Sequence, residues 1–276
     1  MNVFKNKVAI VTGGASGIGR ELCFELAKRG AKVYVSDINE SGAKQTATAI
    51  ISSGGKAEAV TTDVRRPEDM ENLVNLVTQR GPLDYMFNNA GIIMFGEFRD
   101  MAYDDWRDFI DTDVMSVVYG SKCAYEVMIK QGHGHIVNVA SIFGVFPFAL
   151  ATGYTAVKQA VVGLTMALRP EAIDLGVKVS VACPGTVSSE VRKTYKIFGG
   201  DRDKFNSFIK KQVSPQKAAL YIIEGVKKNK AMIVFPFREK ILWYLFKIHP
   251  AINVLWQRKL VQLFRNEIKY KSSINA

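Results

Sequence analysis

The stretch Thr12-Gly-Gly-Ala-Ser-Gly-Ile-Gly19 lies between a short apolar run, Lys7–Thr12, and a segment with apolar residues at helical spacing, Arg20–Lys28. Such a run is typical of a buried parallel strand, so the glycines are predicted to join a strand to a helix. Glycines let the backbone turn sharply, and a helix N-terminus presents free N–H groups and a positive dipole end. The stretch therefore predicts a phosphate-binding loop.

The chain repeats this alternation of strand and helix up to about residue 235. Six further apolar runs predict strands at Lys32–Ser36, Ala57–Thr61, Leu83–Phe87, His135–Ala140, Val177–Ala182 and Ala231–Val234. Helical spacing predicts helices at Glu40–Ser53, Pro67–Gln79, Tyr103–Lys130 (one long helix or a broken pair), Gly153–Leu175 and Pro215–Lys228. Strands that alternate with helices form a parallel sheet covered on both faces. We therefore predict an α/β fold with a doubly wound, Rossmann-like sheet of about seven strands.

The composition changes near residue 237. The last forty residues hold eight Lys or Arg against two acids, which is +6 of the net charge of +11. Within them, Arg238–Ile248 and Ala251–Phe264 carry large apolar residues at helical spacing and are separated by Pro250. The sequence thus predicts one domain over residues 1–236 and a basic, amphipathic helical extension over residues 237–276.

Composition excludes several classes of protein. The 276 residues are 48% hydrophobic and 23% charged, which rules out wholesale disorder. Three widely spaced cysteines exclude a disulfide framework and a zinc ribbon, and no other metal-ligand set is visible. No stretch reaches the roughly 18 apolar residues of a membrane span. We expect a cytoplasmic protein with no metal site, and peripheral membrane association through the tail stays open as an alternative. We also expect no nucleic-acid binding, because the basic excess lies in an apolar tail.

Four further motifs follow the glycine-rich loop in order. They are Asn88-Asn-Ala-Gly91, Ser141, Tyr154-Thr-Ala-Val-Lys158 and Pro184-Gly185, each at the end of a predicted strand or on the adjoining helix. Together with the loop they resemble the short-chain dehydrogenase/reductase family over roughly residues 5–235. The resemblance implies that residues 1–236 bind a nicotinamide cofactor and catalyse hydride transfer between an alcohol and its carbonyl compound.

The resemblance also assigns roles to three residues. Tyr154 is implied as the acid/base, Lys158 as the ribose-binding residue that lowers the tyrosine pKa, and Ser141 as the group that orients the substrate oxygen. The chemistry is consistent, since a free tyrosine with a pKa of about 10 is a poor base at neutral pH. Lys158 lies one helical turn from Tyr154 on the same face, and its positive charge favours tyrosinate.

The nicotinamide cofactor is expected to be NAD rather than NADP. Asp37 ends the second predicted strand, eighteen residues after Gly19. A carboxylate at this place accepts hydrogen bonds from both ribose hydroxyls of NAD and repels the 2′-phosphate of NADP. The nearby positions Ser16, Ile38 and Asn39 carry no basic side chain. The remaining cofactor contacts implied by the resemblance are Gly13, Ser16, Gly17, Ile18, Gly19, Asp63, Val64, Asn89, Ala90, Gly91, Tyr154, Lys158, Pro184, Gly185, Val187 and Ser189.

One catalytic position departs from the family. Where the family has an asparagine in its long central helix, this sequence aligns Asp113. A carboxylate would bring a negative charge close to Lys158. Three explanations stay open: the enzyme tolerates the aspartate, its proton relay is altered, or the alignment is off by one residue.

Three explanations also compete for the extension. It packs over the substrate pocket of this or a partner subunit, it attaches to an anionic membrane, or it simply extends the core. The first is favoured, because Pro250 breaks the apolar surface into two short pieces. The preceding segment between residues 190 and 213 is where the family places its substrate lid. This segment is apolar and aromatic through Tyr195, Ile197, Phe198, Phe205 and Phe208.

We therefore expect an NAD-dependent oxidoreductase with a hydrophobic, steroid-, retinoid- or fatty-acyl-like substrate. The family resemblance implies a homodimer or homotetramer. The alternative is a catalytically weak NAD-binding protein in which Asp113 has reduced turnover and the tail mediates partner or membrane interactions.

Overall fold

A computed structural model describes residues 2–188, 195–208, 212–248 and 250–268. Its main sheet contains the strands β1 (Val8–Thr12), β2 (Lys32–Asp37), β3 (Lys56–Thr61), β4 (Tyr85–Asn88), β6 (Gly134–Val139), β7 (Val177–Pro184) and β9 (Met232–Phe235). Their order across the sheet is β3-β2-β1-β4-β6-β7-β9, and all neighbours pair in parallel. The short strands β5 (Met94–Phe95) and β8 (Lys196–Ile197) form a second parallel pair.

Helices connect these strands. They are α1 (Gly17–Lys28), α2 (Glu40–Ser52), α3 (Pro67–Thr78), α4 (Tyr103–Phe109), α5 (Ser116–Gln131), α6 (Thr152–Ile173), α7 (Arg202–Phe208), α8 (Pro215–Lys227), α9 (Phe237–Ile248) and α10 (Pro250–Leu263). Between α4 and α5 the backbone forms a π-helical segment, Ile110–Met115, and α10 continues into a π-helical turn, Phe264–Ile268.

The sheet is covered on both faces, as a parallel sheet requires. Side chains alternate along β1, so that Ala9 and Val11 join one core while Ile10 joins the other. The first core packs α1, α2 and α8 against the sheet, and the second packs α3 and α5. The predicted α/β, doubly wound fold of seven strands is therefore confirmed.

Strand order reverses between β1 and β4. The chain runs outward from β1 to β3 and then returns to place β4 on the other side of β1. Ligands of open α/β sheets bind at such a switch point, beyond the carboxyl ends of the strands. The glycine-rich loop and the Asn88–Gly91 segment follow β1 and β4, so both lie at this place.

The region predicted as one long helix or a broken pair, Tyr103–Lys130, is divided into α4, the π-helical segment and α5. A π-helical segment widens a helix locally and is often found at functional sites. Here it carries Asp113, which is completely buried. The sequence does not predict the β5–β8 pair, because two-residue strands leave no periodic pattern.

A buried polar network joins the middle of the sheet to its covering helices. The Asn88 side chain on β4 donates to Asn138 on β6 over 2.8 Å and to Ser121 on α5 over 3.2 Å. Asn138 in turn donates to Thr165 on α6 over 3.0 Å. Gly120 lets α5 approach this network, because a Cβ there would lie 2.0 Å from Asn88 Oδ1.

Two glycines on covering helices should respond in opposite ways to alanine. Gly120→Ala should lower the free energy of unfolding by about 1–3 kcal/mol, since the added methyl must displace the buried Asn88 amide. Gly163→Ala on α6 should raise it by up to about 1 kcal/mol, because nothing lies within 4 Å of its Cβ and alanine favours helix. Urea unfolding measures both values. Equal effects would contradict the close approach of α5 to the sheet.

Candidate active site

The glycine-rich loop is shaped by contacts that exclude side chains. Gly13 has a φ of +68°, and Gly17 has a φ of +54° at the start of α1. A Cβ at Gly19 would lie 2.1 Å from the Gly13 carbonyl oxygen, and a Cβ at Gly13 would lie 2.9 Å from the Cα of Ala90. The loop thus needs glycine at Gly13 and Gly19, and it leaves a concave backbone surface at the N-terminus of α1.

The segment after β4 is bound directly to this loop. The Asn89 and Ala90 amides both donate to the Thr12 hydroxyl, over 3.0 and 3.1 Å, and the Asn89 side chain donates to the Thr12 carbonyl over 2.9 Å. The sequence alone does not mark Thr12 as a site residue. Only the pairing of β1 with β4 shows that its hydroxyl fixes the second segment.

At the far end of the loop, the Asp37 carboxylate is held by backbone. Its oxygens accept from the Ala15 amide over 3.0 Å and from the Asn39 amide over 2.9 Å. Asp63 follows β3, and Arg65 binds its carboxylate through both Nε and Nη2. The hydrogen bonds from Arg65 are the main cause that lowers the pKa of Asp63 below its usual value.

Ser141, Tyr154 and Lys158 meet where β6 and α6 approach each other. Ser141 follows β6 and begins a 3-10 turn, in which its hydroxyl accepts from the Phe143 amide over 3.3 Å. Tyr154 and Lys158 lie one turn apart on α6, and the lysine Nζ is 5.5 Å from the tyrosine ring centroid. Lys158 is almost completely buried, and Tyr154 is partly exposed.

Asp113 lies behind Lys158 and forms an ion pair with it. The Lys158 Nζ is 2.7 Å from Asp113 Oδ1, and the other carboxylate oxygen accepts from the Ile92 amide over 3.1 Å. Gly91 leaves room for the pair, since a Cβ there would lie 2.6 Å from Asp113 Oδ1. The structure thus places the carboxylate against the lysine, as expected if the alignment of Asp113 is correct.

Burial and charge act together on the titratable groups of the site. Burial raises the pKa of Tyr154 above its ordinary value; the Lys158 ammonium lowers it, Asp113 raises it and a hydrogen bond with Ser141 lowers it. Burial alone would depress the pKa of Lys158, but Asp113 and Tyr154 raise it above its ordinary value. Burial also raises the pKa of Asp113, against the opposing effect of Lys158.

One cavity of about 1310 Å³ connects most of the predicted site residues. Those that line it are Gly13, Ser16, Gly17, Ile18, Asp37, Asp63, Val64, Asn89, Ala90, Gly91, Ser141, Tyr154, Lys158, Pro184, Gly185 and Val187. Gly19 lies behind the loop and Asp113 behind Lys158, so neither lines the cavity. Ser189 lies outside the described residues.

The same cavity has an aromatic chamber formed largely by residues outside the family motifs. Its lining residues are Phe95, Phe143, Phe146, Phe148, Tyr195, Phe205, Leu245, Phe246, Trp256 and Leu260. Tyr195 and Phe205 come from the predicted lid. Ile197 and Phe198 pack behind it in the apolar clusters, and the side chain of Phe208 lies outside the described residues.

Residues of the extension cover this chamber. Gln257 on α10 donates to the Pro147 carbonyl over 2.9 Å and accepts from the Ala149 amide. Trp256 packs edge-on against Phe148. The sequence does not predict Gln257 as a contact, because periodicity alone does not show which face of α10 packs inward.

An ion pair fixes the end of the extension. Arg265 Nε lies 2.8 Å from the carboxylate of Glu97, which is 7% exposed and follows β5. Nothing in the local sequence predicts this pair, because 168 residues separate its members.

Similarity to known proteins agrees with this geometry. The family model for short chain dehydrogenases matches residues 7–197. The chain belongs to the short-chain dehydrogenase/reductase family. It is therefore an oxidoreductase of the kind that uses a nicotinamide cofactor.

Several members of the short-chain dehydrogenase/reductase family resemble the chain. A putative oxidoreductase, SadH, of Mycobacterium tuberculosis is 33% identical over 255 residues, covering 90% of this chain and 92% of the relative. A cyclohexanol dehydrogenase of an Acinetobacter species is 38% identical over 192 residues, covering 68% and 76%. A family member from Burkholderia phymatum, solved in complex with NAD, shares the fold with a TM-score of 0.77 at 24% identity, covering 95% of this chain and 94% of its own.

Replacing Asp113 should change the pH dependence of this site. Asp113→Asn removes a negative charge that raises the pKa of Tyr154, so tyrosinate should form at lower pH and the rising limb of alcohol oxidation should move toward neutrality. The pH profile of kcat measures the shift. Asp111→Asn, an exposed position in the same π-helical segment, is the control. A profile unchanged in Asp113→Asn would show that the carboxylate does not act on the tyrosine.

Proposed function

We propose that the protein is an NAD-dependent oxidoreductase that interconverts a hydrophobic alcohol and its carbonyl compound. The observation that carries the proposal is the single cavity, in which a phosphate-binding loop, the Ser141–Tyr154–Lys158 group and an aromatic chamber share one space. A cofactor and an apolar substrate could therefore meet beside a tyrosine that holds a transferable proton.

The residues fit a dinucleotide. A Cβ at Gly13 or Gly19 would strike backbone, so the loop keeps a bare surface that a pyrophosphate can approach at the α1 N-terminus. The Asp37 carboxylate is already held in place by the Ala15 and Asn39 amides. It is positioned to accept hydrogen bonds from an adenosine ribose.

The charges at this end favour NAD. Asp37 would repel a 2′-phosphate. Arg65 also lines the cavity, but its guanidinium binds the Asp63 carboxylate at two positions and is compensated there. A 2′-phosphate would have to separate that pair as well as approach Asp37.

A nicotinamide bound in this cavity would supply the hydride-transfer chemistry, as the acceptor in oxidation and the donor in reduction. Tyr154 exchanges a proton between its hydroxyl and the substrate oxygen. Lys158, held by Asp113 and the Val139 carbonyl, keeps a positive charge beside the phenol and stabilises its ionised form. The Ser141 hydroxyl, at the start of its 3-10 turn, hydrogen-bonds the same substrate oxygen and orients it.

The substrate half of the cavity is apolar, which favours a large hydrophobic alcohol of the steroid, retinoid or fatty-acyl type over a sugar. The similarity to a cyclohexanol dehydrogenase supports an apolar alcohol as well. A second candidate, a catalytically weak NAD-binding protein, is favoured by one observation: the buried Asp113 compensates the charge of Lys158. Turnover with a panel of lipophilic alcohols separates the two.

Removing the Tyr154 hydroxyl, the proposed proton donor, should abolish most of the alcohol-oxidation activity. Tyr154→Phe keeps the ring, so kcat for oxidation of a lipophilic alcohol should fall by roughly 10² or more while NADH binding remains. Tyr125→Phe, a tyrosine on α5 outside the cavity, should retain full activity. Near wild-type kcat in Tyr154→Phe would show that another group performs the acid/base step.

The cofactor preference should depend on Asp37. Calorimetry should give at least tenfold tighter binding of NADH than of NADPH, which is about 1.4 kcal/mol. Asp37→Ala should reduce the difference between the NADH and NADPH affinities, because it should raise the affinity for NADPH. Equal affinities in the wild type would overturn the assignment of NAD.

A further inference from the structure

The outward face of α9 is apolar. Phe237, Ile241, Tyr244 and Leu245 lie at i, i+4, i+7 and i+8, one stripe of a helix, and their exposures range from 45% to 74%. An amphipathic helix on a globular protein normally turns such a stripe toward the core. Among the side chains of this helix that the structure describes, the buried one is instead Glu239.

The outward face of α10 combines apolar and basic residues. Val254 and Leu255 are each 67% exposed. Arg258 and Lys259, one turn further along, are also exposed. The opposite face of this helix is occupied by Gln257, Leu260 and Phe264, which pack toward the chamber.

The two exposed faces meet at the cavity. Leu245 of α9 and Trp256 of α10 both line the chamber, yet they are 57% and 53% exposed. The apolar surface is therefore continuous with the aromatic lining of the cavity. We call this surface, formed by the exposed residues of α9 and α10, the apolar rim.

The positive charge of the apolar rim indicates which kind of partner it would bind. The tail carries a net +6, and the exposed cations Lys240, Arg258 and Lys259 lie among the apolar residues of the rim. A second copy of the chain would bring an equal positive charge against it, which disfavours self-association through this face. An anionic lipid surface offers both opposite charge and an apolar interior. Within the described ranges, no helix is long and apolar enough to cross a membrane, so contact would be peripheral.

We propose that the apolar rim docks on an anionic lipid bilayer and places the cavity mouth against it. The exposed aliphatic and aromatic side chains enter the interface, and the basic residues contact lipid phosphates and carboxylates. A hydrophobic substrate dissolved in the bilayer then reaches the chamber between Leu245 and Trp256 without crossing water. This route for the substrate rests on the proposed function, whereas docking itself does not.

Vesicle flotation tests the docking. The wild-type protein should float with vesicles of phosphatidylcholine and phosphatidylserine at low salt, and much less with phosphatidylcholine alone or at high salt. Arg258→Gln with Lys259→Gln should weaken partitioning about thirtyfold, since each basic residue near an anionic surface contributes about one kcal/mol. Arg265 is left unchanged, because it pairs with Glu97.

Two further variants control for charge and for the apolar contact. Lys227→Gln with Lys228→Gln removes the same charge from exposed positions at the end of α8 and should float like the wild type. Ile241→Ser with Leu255→Ser changes rim residues that do not line the cavity and should also reduce flotation. Thermal unfolding confirms that each variant is folded.

Three results would overturn the proposal. The first is a wild-type protein that does not float with anionic vesicles at low salt. The second is an equal loss in the α8 control, which would indicate general charge attraction. The third is a dimer, seen by sedimentation velocity, that ignores vesicles and dissociates in Ile241→Ser with Leu255→Ser; the rim would then be a subunit interface.

Kinetics test the substrate route separately. Arg258→Gln with Lys259→Gln should raise the apparent KM for a long-chain alcohol presented in anionic vesicles by a factor similar to its loss of partitioning. Its turnover of a water-soluble alcohol should equal that of the wild type. An equal KM on vesicles would overturn the route. Flotation without any alcohol oxidation would refute the proposed function but leave the docking intact.

Discussion

The site depends on how closely β4 can approach β1. The Thr12 hydroxyl accepts hydrogen bonds from two backbone amides of the Asn88–Gly91 segment. Gly13 lies so near Ala90 that a Cβ on Gly13 would contact the Cα of Ala90. This contact fixes the glycine-rich loop against the segment that carries Gly91. Gly91, in turn, provides the space in which Lys158 and Asp113 meet. One short strand pair thus positions both the cofactor loop and the charged groups behind the tyrosine.

In the Lys158–Asp113 pair, the attraction between the two charges outweighs the effect of burial on the pKa of Lys158. Removing two charges from water costs several kcal/mol each, so such a pair adds little to stability unless its geometry is good. The 2.7 Å contact and the amide of Ile92 supply that geometry, and they keep Lys158 charged despite its burial. The same carboxylate opposes the effect of the lysine on Tyr154. An asparagine, which the resemblance to the family implies at this position, would orient the lysine without this opposition.

The sequence predicted the parts of the protein that local patterns determine. Buried strands, the glycine-rich loop, and the one-turn spacing of Tyr154 and Lys158 can all be read from neighbouring residues. The proximity of Asp113 to Lys158 could be predicted only from the alignment with the family, because the π-helical segment that places Asp113 has no recognised sequence signal. The pairing of Arg265 with Glu97 and the contacts of Gln257 could not be predicted, because they join segments more than a hundred residues apart. Periodicity predicted the two tail helices but could not assign their faces.

The assignment of those faces reconciles two explanations that the sequence set against each other. Packing over the pocket uses Gln257, Leu260 and Phe264 on the inner side of α10, whereas Val254 and Leu255 remain in solvent on the outer side. The residues that hold α10 over the chamber and those that would meet a lipid surface are therefore different, except at the cavity mouth, where Leu245 and Trp256 belong to both sets. Neither role excludes the other. The break at Pro250 no longer argues against an interfacial role, because the exposed surface is built by both helices around the cavity mouth. A lid whose outer surface prefers lipid would favour apolar substrates twice, once by concentrating them at the mouth and once by the aromatic lining within.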